Sequence, residues 1–481
     1  MSRHFKYKTA ESLVLDARSR GIDIRLRDDL SPLAAQMEIG GRAVGNRLAI
    51  HPMEGCDGTQ DGAPGELTIR RYRRFGEGGA KLIWGEAAAV VPEGRANPRQ
   101  LLMDESHASA LGEVVEVCRR SHAEEWGRDD DLLIGIQLTH SGRYSAQGPV
   151  LAQHHPLLDP RTIVDRATRA TADANTPLIS DDELNRLQDR YASAARLAFR
   201  IGFDFVDLKQ CHGYLLNELL ASRSRPGKYG GSFENRTRFI REVVGRIRSE
   251  NPGALIGTRL NIYDGIPYRP EGEDRIGVPC PFEPPLDSSW GVSRDDPFTP
   301  DLAEPIALIG QLRDLGVSLL SISMGNPYTN PHVLRPFEYA PVDGYETPEH
   351  PMIGVDRHFR LAETVQATFP DLAIVGSGYS WLQAYLFQAG AANVADGRIG
   401  FVGVGRASLA QPDFGRHVLH GEALDPKRTC RTFSYCTALM RAKHNELGQF
   451  ATGCPPFDKD VYGPIWDEAK QASAKPLPSS S

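Results

Sequence analysis

Residues 204–214 read DFVDLKQCHGY, a short apolar run followed at once by side chains that carry chemistry. Lys209, His212 and Tyr214 stand close together, at spacings i, i+3 and i+5. The run FDFVDL (203–208) has the length and composition of a strand that is buried on both faces. Where the three polar side chains lie therefore depends on the fold to which this strand belongs.

Seven other apolar runs of this type recur along the chain. Each is short and apolar on both faces, which is typical of parallel strands covered on both sides. The eight runs lie at 46–53, 81–91, 131–138, 203–208, 254–260, 317–323, 372–378 and 400–405. Helical patterns fill the gaps, at about 66–77, 104–120, 180–199, 233–249, 301–314, 355–368, 380–389 and 407–420. Ser180 with Glu183 predicts a capping box at the start of the third helix.

Eight strands that each precede a helix predict a (β/α)8 TIM barrel. No GxGxxG follows the first strand, which argues against a Rossmann domain. We expect the barrel to occupy residues 1–420, with a long active-site loop at 262–300 after strand five. Residues 421–481 would form a C-terminal extension whose last segment, SAKPLPSSS, has the composition of a disordered tail.

Composition argues against several functional classes. Charged residues make up 24% of the chain and the net charge is −7, so there is no electrostatic case for binding nucleic acid or an anionic membrane. Seven cysteines in 481 residues do not suggest a disulfide framework. The N-terminal stretch has no apolar core of a secretory signal, and no run is long enough to span a bilayer. We therefore expect a cytoplasmic protein that acts on a small molecule rather than on nucleic acid or a membrane, either as a monomer or as a homo-oligomer.

In a barrel, the side chains that follow the strands meet at one mouth. The loops after strands seven and eight are the usual phosphate site of such barrels, since backbone N–H groups point there. Each strand-end residue has a structural explanation when taken singly, but polar groups at five strand ends on one face favour an active site. These positions are Gln137, Lys209, His212, Tyr214, Arg259, Gly376, Gly378, Gly405 and Arg406.

Several motifs resemble the flavin reductases of the Old Yellow Enzyme family. They are HPMEG (51–55), QLTHSGR (137–143), FDFVDLKQCHGYLLNELL (203–220), KYGGSFENRTRF (228–239) and GRASLAQPD (405–413). The similarity runs in order from about residue 40 to residue 420. It implies an FMN-containing (β/α)8 barrel that moves a hydride from NADH or NADPH through the flavin to an activated C=C bond.

The same resemblance implies cofactor-binding roles by position. Pro52, Met53 and Ala87 would lie against the isoalloxazine ring. Gln137 would hydrogen-bond the pyrimidine edge, and Arg259 would stand near N1 and O2, where a cation stabilises the reduced flavin. The FMN phosphate would be held by Gly376, Gly378, Gly405 and Arg406.

The resemblance also assigns the chemistry. His212 would bind the substrate carbonyl oxygen, and Tyr214 would be the proton donor. Lys209 stands where the family usually has histidine, and a lysine suits an anionic substrate or a developing oxyanion. It could also form a Schiff base, which leaves a barrel lyase as an alternative of another class. A flavin dehydrogenase that oxidises its substrate is a second alternative.

The cysteines of the C-terminal extension depart from the pattern of long relatives. Those relatives carry four cysteines for a 4Fe–4S cluster, whereas this segment has only Cys430, Cys436 and Cys454, with five and seventeen residues between them. Such a cluster needs four thiolates. We therefore predict that the protein has no iron–sulfur cluster and no other metal site.

Overall fold

A closed barrel of eight parallel strands forms the centre of the molecule. The computed structural model describes residues 3–341, 344–422, 424–444 and 447–474, so the end of the predicted disordered tail lies outside the described residues. Each strand pairs with the next along the chain, and the eighth pairs with the first. The strands are β1 Leu48–Ile50, β2 Leu82–Ala89, β3 Leu133–Thr139, β4 Phe205–Leu208, β5 Leu255–Asn261, β6 Val317–Ser323, β7 Ala373–Gly376 and β8 Phe401–Val404.

Helices alternate with these strands and cover the outside of the barrel, which confirms the predicted (β/α)8 TIM fold. Those that follow the eight strands are α1 Glu66–Glu77, α2 Ala108–Trp126, α3 Asp181–Arg200, α4 Arg238–Glu250, α5 Ala303–Asp314, α6 Pro351–Thr368, α7 Leu386–Ala395 and α8 Phe414–Leu419. Other described helices are Ala10–Ser19, Ser31–Ala34, Leu215–Ala221, Phe233–Arg236, Pro331–Leu334, Arg406–Ala410, Tyr435–Arg441 and Lys459–Ala474. The Ser180 side chain caps α3 in a reciprocal capping box with Glu183, as the sequence predicts.

Large apolar side chains fill the inside of the barrel. Trp84 and Phe205 meet edge to face there, with ring centroids 5.2 Å apart. An antiparallel hairpin, Met37–Ile39 with Arg42–Val44, adds Ile39 and Val44 to this inner cluster. The interior of the described barrel is therefore a packed core rather than a ligand cavity.

The segment at 262–300 is more regular than a loop. It contains an antiparallel hairpin, Tyr268–Glu271 with Ile276–Pro279, and Ile276 forms a bridge to Glu346 in the connection after β6. Its role as an active-site loop stays a prediction.

The C-terminal extension packs against α1 and against the loop that follows β1. Asp458 accepts a hydrogen bond from Arg70 of α1 at 2.7 Å, and the Thr452 backbone N–H donates to the Gly55 carbonyl at 2.6 Å. Leu439, Phe450 and Tyr462 form a small apolar cluster beside it. The extension is therefore held at the edge of the barrel mouth.

No described helix combines the length and apolarity needed to cross a membrane.

Candidate active site

The carboxyl ends of the strands surround a cavity of about 130 Å³. Predicted site residues that line it are Pro52, Met53, Ala87, Gln137, Lys209, His212, Tyr214 and Arg406. The other predicted positions lie at or just after the ends of β5, β7 and β8 but do not line this cavity; they are Arg259, Gly376, Gly378 and Gly405. The barrel thus gathers predicted residues from five distant parts of the sequence into one space.

A tight turn after β4 places His212 at the mouth. His212 and Gly213 both have left-handed backbones, with φ of 70° and 71°. A non-glycine residue rarely adopts this conformation, and such strain concentrates at functional sites. Nε2 of His212 lies 3.1 Å from Oγ of Ser323 at the end of β6. Burial, together with the charges of Arg259 and Lys209, holds the pKa of His212 well below its usual value, so the imidazole is neutral.

Lys209 has a buried carboxylate as its partner. Its side chain is only 4% exposed, and Nζ lies 3.6 Å from Oε1 of Glu54, which follows β1. The same Nζ lies 3.9 Å from the centre of the Tyr214 ring, in a cation–π contact. Burial raises the pKa of Glu54, and the charge of Lys209 acts against this rise. Glu54 was missed by the sequence analysis, although it stands within the HPMEG motif.

The loop that carries Glu54 is fixed by a buried ionic network. The Gly55 backbone N–H donates to Oε2 of Glu86 at 2.8 Å, and Arg71 of α1 lies 2.6 Å from Oε1 of the same carboxylate. Arg71 also pairs with Asp57. These contacts tie the end of β1 to β2, so the position of Glu54 does not depend on an unsupported loop.

Gln137 is oriented by a carboxylate that the sequence analysis did not identify. Asp207, fully buried in β4, accepts hydrogen bonds from Nε2 of Gln137 at 2.5 Å and from Nε1 of Trp84 at 2.6 Å. Its other oxygen accepts from the Arg259 backbone N–H at 2.6 Å. The signal was an acidic residue inside the apolar run FDFVDL, where a charge is costly unless it is hydrogen-bonded.

Tyr214 belongs to a cluster of three tyrosines. Its hydroxyl oxygen lies 3.2 Å from that of Tyr328, and its ring centre lies 6.0 Å from that of Tyr144. Burial and the charge of Glu54 raise the pKa of Tyr214 well above its usual value. The phenol is therefore fully protonated at neutral pH, as a proton donor must be.

The C-terminal extension supplies one wall of the cavity. Its contributions are Cys436, Thr437, Met440, Arg441 and Thr452. None of these five residues was predicted as a site residue from the sequence. The sequence YCTALMRA indicates a helix, but nothing in it indicates where that helix docks.

Two arginines near the strand ends keep donors without partners. Arg406 donates from Nη2 to the Pro336 carbonyl at 2.7 Å, while its Nη1 has no partner among the described residues. Nε of Arg259 is likewise unsatisfied in the described part of the chain. Burial lowers the pKa of both groups, and for Arg259 the nearby charge of Asp207 acts against this fall. Buried donors of this kind fit an anionic ligand.

The three cysteines of the extension line a neighbouring cavity. Cys430, Cys436 and Cys454 border a space of about 260 Å³ beside Arg406. Burial raises the pKa of Cys430 to about 11, which favours the neutral thiol. Within the ranges that the structure describes, no group of three or more His, Cys, Asp or Glu side chains is arranged to hold a metal ion.

An eight-stranded parallel barrel with polar side chains gathered at the carboxyl ends of its strands has the architecture of a barrel enzyme. The sequence model of the NADH:flavin oxidoreductase / NADH oxidase family matches residues 33–275, just over half of the chain. The chain belongs to this family, and the resemblance to Old Yellow Enzyme is confirmed.

Curated relatives include several NADPH dehydrogenases. That of Geobacillus sp. (strain WCH70) is 31% identical over 240 residues, which cover 49% of this chain and 63% of the relative. That of Bacillus subtilis (strain 168) is 29% identical over 48% of this chain and 64% of the relative. An NADH:flavin oxidoreductase of Gibberella zeae is 28% identical over 50% and 58%. The matched region thus spans less than two thirds of these relatives.

Solved structures share the fold. A 2-naphthoyl-CoA reductase in complex with 2-naphthoyl-CoA superposes with a TM-score of 0.66 at 19% identity, over 91% of this chain and 58% of that one. Morphinone reductase in complex with tetrahydroNAD superposes with a TM-score of 0.56 at 23% identity, over 82% and 92%. At these identities the likeness concerns the architecture of the barrel.

Proposed function

We propose that this protein is an FMN-dependent oxidoreductase that transfers a hydride from NADH or NADPH to an activated C=C bond. The observation that carries the proposal is the convergence of Lys209, His212 and Tyr214 beside Gln137 and Met53 in one buried cavity. Family membership supports the flavin and the reduced nicotinamide as reactants. The substrate would be a small α,β-unsaturated carbonyl compound or carboxylated alkene, and the cytoplasm would be the site of action.

The side chains present fit FMN. The unpartnered Nη1 of Arg406, the turn at Gly378, and Gly405, which precedes the helix Arg406–Ala410, would take the phosphate, because an arginine gives charge-assisted bonds to such a group. Nε of Arg259 would face the part of the ring that gains negative charge. Bound FMN would supply the hydride that is added to the alkene.

Hydride addition to the C=C bond leaves negative charge on the substrate carbonyl oxygen. The carbon next to the carbonyl group must then receive a proton. The neutral imidazole of His212 would donate a hydrogen bond to that oxygen, and the ammonium of Lys209 would stabilise its charge. The hydroxyl of Tyr214 would donate the proton, since a phenol is a competent acid toward a carbanion-like centre. Lys209 and Tyr214 are largely removed from water, which strengthens these interactions.

Replacing Tyr214 by phenylalanine tests this proposal. Tyr214→Phe removes the acid but keeps the ring under Lys209, so FMN binding and flavin reduction by NADH or NADPH should be close to those of the wild type. Reoxidation of the reduced flavin by an enone should slow by ~10²–10⁴-fold, the usual contribution of a general acid. Anaerobic stopped-flow spectroscopy measures the two half-reactions separately.

Tyr229→Phe is the matched control, because Tyr229 is buried on the outer side of the barrel, where its hydroxyl meets Asn185 at 2.7 Å. It should leave both half-reactions unchanged. An unchanged reoxidation rate in Tyr214→Phe would show that another acid protonates the substrate.

A further inference from the structure

A buried proton donor has to be reloaded after each turnover. Tyr214 is 3% exposed, so water does not reach its hydroxyl freely. In the proposed reaction its O–H bond breaks once per cycle, and a phenolate remains inside the barrel mouth. Burial disfavours that charge, so the phenolate has a strong tendency to take up a proton from a neighbour.

Tyr328 is placed to be that neighbour. Its hydroxyl oxygen lies 3.2 Å from that of Tyr214, and this is the hydrogen bond found for the Tyr214 hydroxyl among the described residues. Tyr328 is 37% exposed, in contrast to Tyr214. The hydrogen bond therefore connects the buried donor to a side chain that is partly exposed to solvent, while burial raises the pKa of Tyr328 as well.

The ring of Tyr328 is held in place by its surroundings. Tyr144 stacks on it with ring centres 4.2 Å apart, and the guanidinium carbon of Arg441 lies 4.1 Å from its centre. Asn326 accepts a hydrogen bond from the Tyr328 backbone N–H at 2.8 Å and donates one to the Tyr144 hydroxyl at 2.9 Å. A side chain fixed in this way keeps its hydroxyl directed at Tyr214 without a conformational search.

The charged groups around Tyr214 are less suited to this task. Lys209 lies over the face of the Tyr214 ring, with Nζ 3.9 Å from the ring centre, rather than at the hydroxyl. Glu54 is engaged with the ammonium of Lys209 at 3.6 Å. Arg441 is a guanidinium, which does not give up a proton in proteins.

We propose that Tyr328 is a proton-relay residue that reloads Tyr214 from solvent. The inference rests on the proposed function. The Tyr214 proton forms the new C–H bond on the substrate, the Tyr328 proton then moves to the Tyr214 phenolate, and the Tyr328 phenolate takes a proton from water or a buffer acid. The hydride comes from the nicotinamide through the flavin, so no other reductant is required.

The test compares Tyr328→Phe and Tyr328→Ala with Tyr229→Phe, the control on the outer side of the barrel whose hydroxyl bonds Asn185. Reduced enzyme is first mixed with one equivalent of an enone, which reports a single turnover with Tyr214 already protonated. Continuous turnover is then followed with excess NADPH and enone, at low and at increasing concentrations of a small buffer acid such as imidazolium.

We expect Tyr328→Phe to complete the single turnover at the wild-type rate but to slow continuous turnover by ~10-fold or more at low buffer. In Tyr328→Ala, where removal of the ring leaves space beside the Tyr214 hydroxyl, imidazolium should restore the rate by protonating Tyr214, and Tyr229→Phe should match the wild type throughout. A slow single turnover without rescue by imidazolium would mean that Tyr328 is only structural, and unchanged continuous turnover at low buffer would also overturn the relay.

The result also separates the relay from the proposed function. If enone reduction depends on Tyr214 but not on Tyr328, only the relay is wrong. If the reduction of activated alkenes does not depend on Tyr214, the relay and the role of Tyr214 are wrong but hydride transfer to the alkene stands. If the wild type reduces neither enones nor carboxylated alkenes, the proposed function is wrong as well.

Discussion

Two opposite charges, on Lys209 and Glu54, lie 3.6 Å apart in the cavity, and each is largely removed from water. Removing one partner of a buried pair leaves the other uncompensated, which is more costly than removing both. Lys209 was identified from its place in the motif after β4. Its pairing with Glu54 could not be predicted, because only closure of the barrel brings the ends of β1 and β4 together.

The charge of Lys209 should favour substrates that are anionic or that develop negative charge in the transition state. Lys209→Ala is expected to lower kcat/KM for a carboxylated alkene. The loss should correspond to ~2–4 kcal/mol of transition-state stabilisation, which is the contribution of one oxyanion donor. The loss on a neutral enone should be smaller, and Lys209→His should improve the enone relative to the carboxylated substrate. Steady-state kinetics on both substrates, with FMN content as a check on folding, measure these effects.

The double variant Lys209→Met with Glu54→Gln provides the control for the lost ion pair. It removes both charges, so it should be more stable to thermal unfolding than Lys209→Ala while showing the same loss on the carboxylated alkene. Equal and small losses on the two substrates would mean that Lys209 does not serve the substrate oxygen. Borohydride trapping of a carbonyl substrate on Lys209 would instead favour the lyase.

At the scale of single elements, the buried strands were the most predictable part of the chain. The run predicted at 317–323 coincides with β6, because a strand covered on both faces is buried at almost every position and carries mostly apolar or small side chains. Helix ends were less accurate: a helix was expected at 380–389, whereas α7 covers Leu386–Ala395 and follows a 3-10 segment. The hairpin at 37–44 was not predicted, although Gly40 and Gly41, both with positive φ, form its turn.

The C-terminal extension shows most clearly what local patterns leave open. Its helix Tyr435–Arg441 carries Met440 and Arg441 to the cavity. Docking depends on contacts such as the pairing of Asp458 with Arg70, which join positions far apart in the sequence. A sequence pattern predicts such a helix but not its neighbour.

The cysteines of the C-terminal extension are the basis for the prediction that iron is absent. Cys430, Cys436 and Cys454 offer three thiols to their cavity, and a 4Fe–4S cluster needs four thiolates. Purified protein should therefore contain far less than one iron or labile sulfide per chain, and Cys454→Ser should retain the visible spectrum of the wild type. Metal analysis that found about four irons per chain would contradict this prediction.

At the scale of the whole molecule, closure of the barrel brings residues that are far apart in the sequence close together. His212 after β4 and Ser323 at the end of β6 lie 3.1 Å apart, and Ser377 after β7 lies 3.0 Å from His51 after β1. The fold thus makes one ring of polar groups, and the family motifs located most of it. The wall contributed by the extension and the tyrosine pair required the three-dimensional structure.

Anaerobic flavin spectroscopy on the purified protein tests the central claim, that this ring of groups holds FMN and passes a hydride to an alkene. We predict that heating releases FMN in stoichiometric amount, that NADH or NADPH bleaches the visible flavin absorbance, and that an enone or a carboxylated alkene restores it without oxygen. A colourless protein, stoichiometric FAD, or a reduced flavin that no activated alkene reoxidises would contradict the claim.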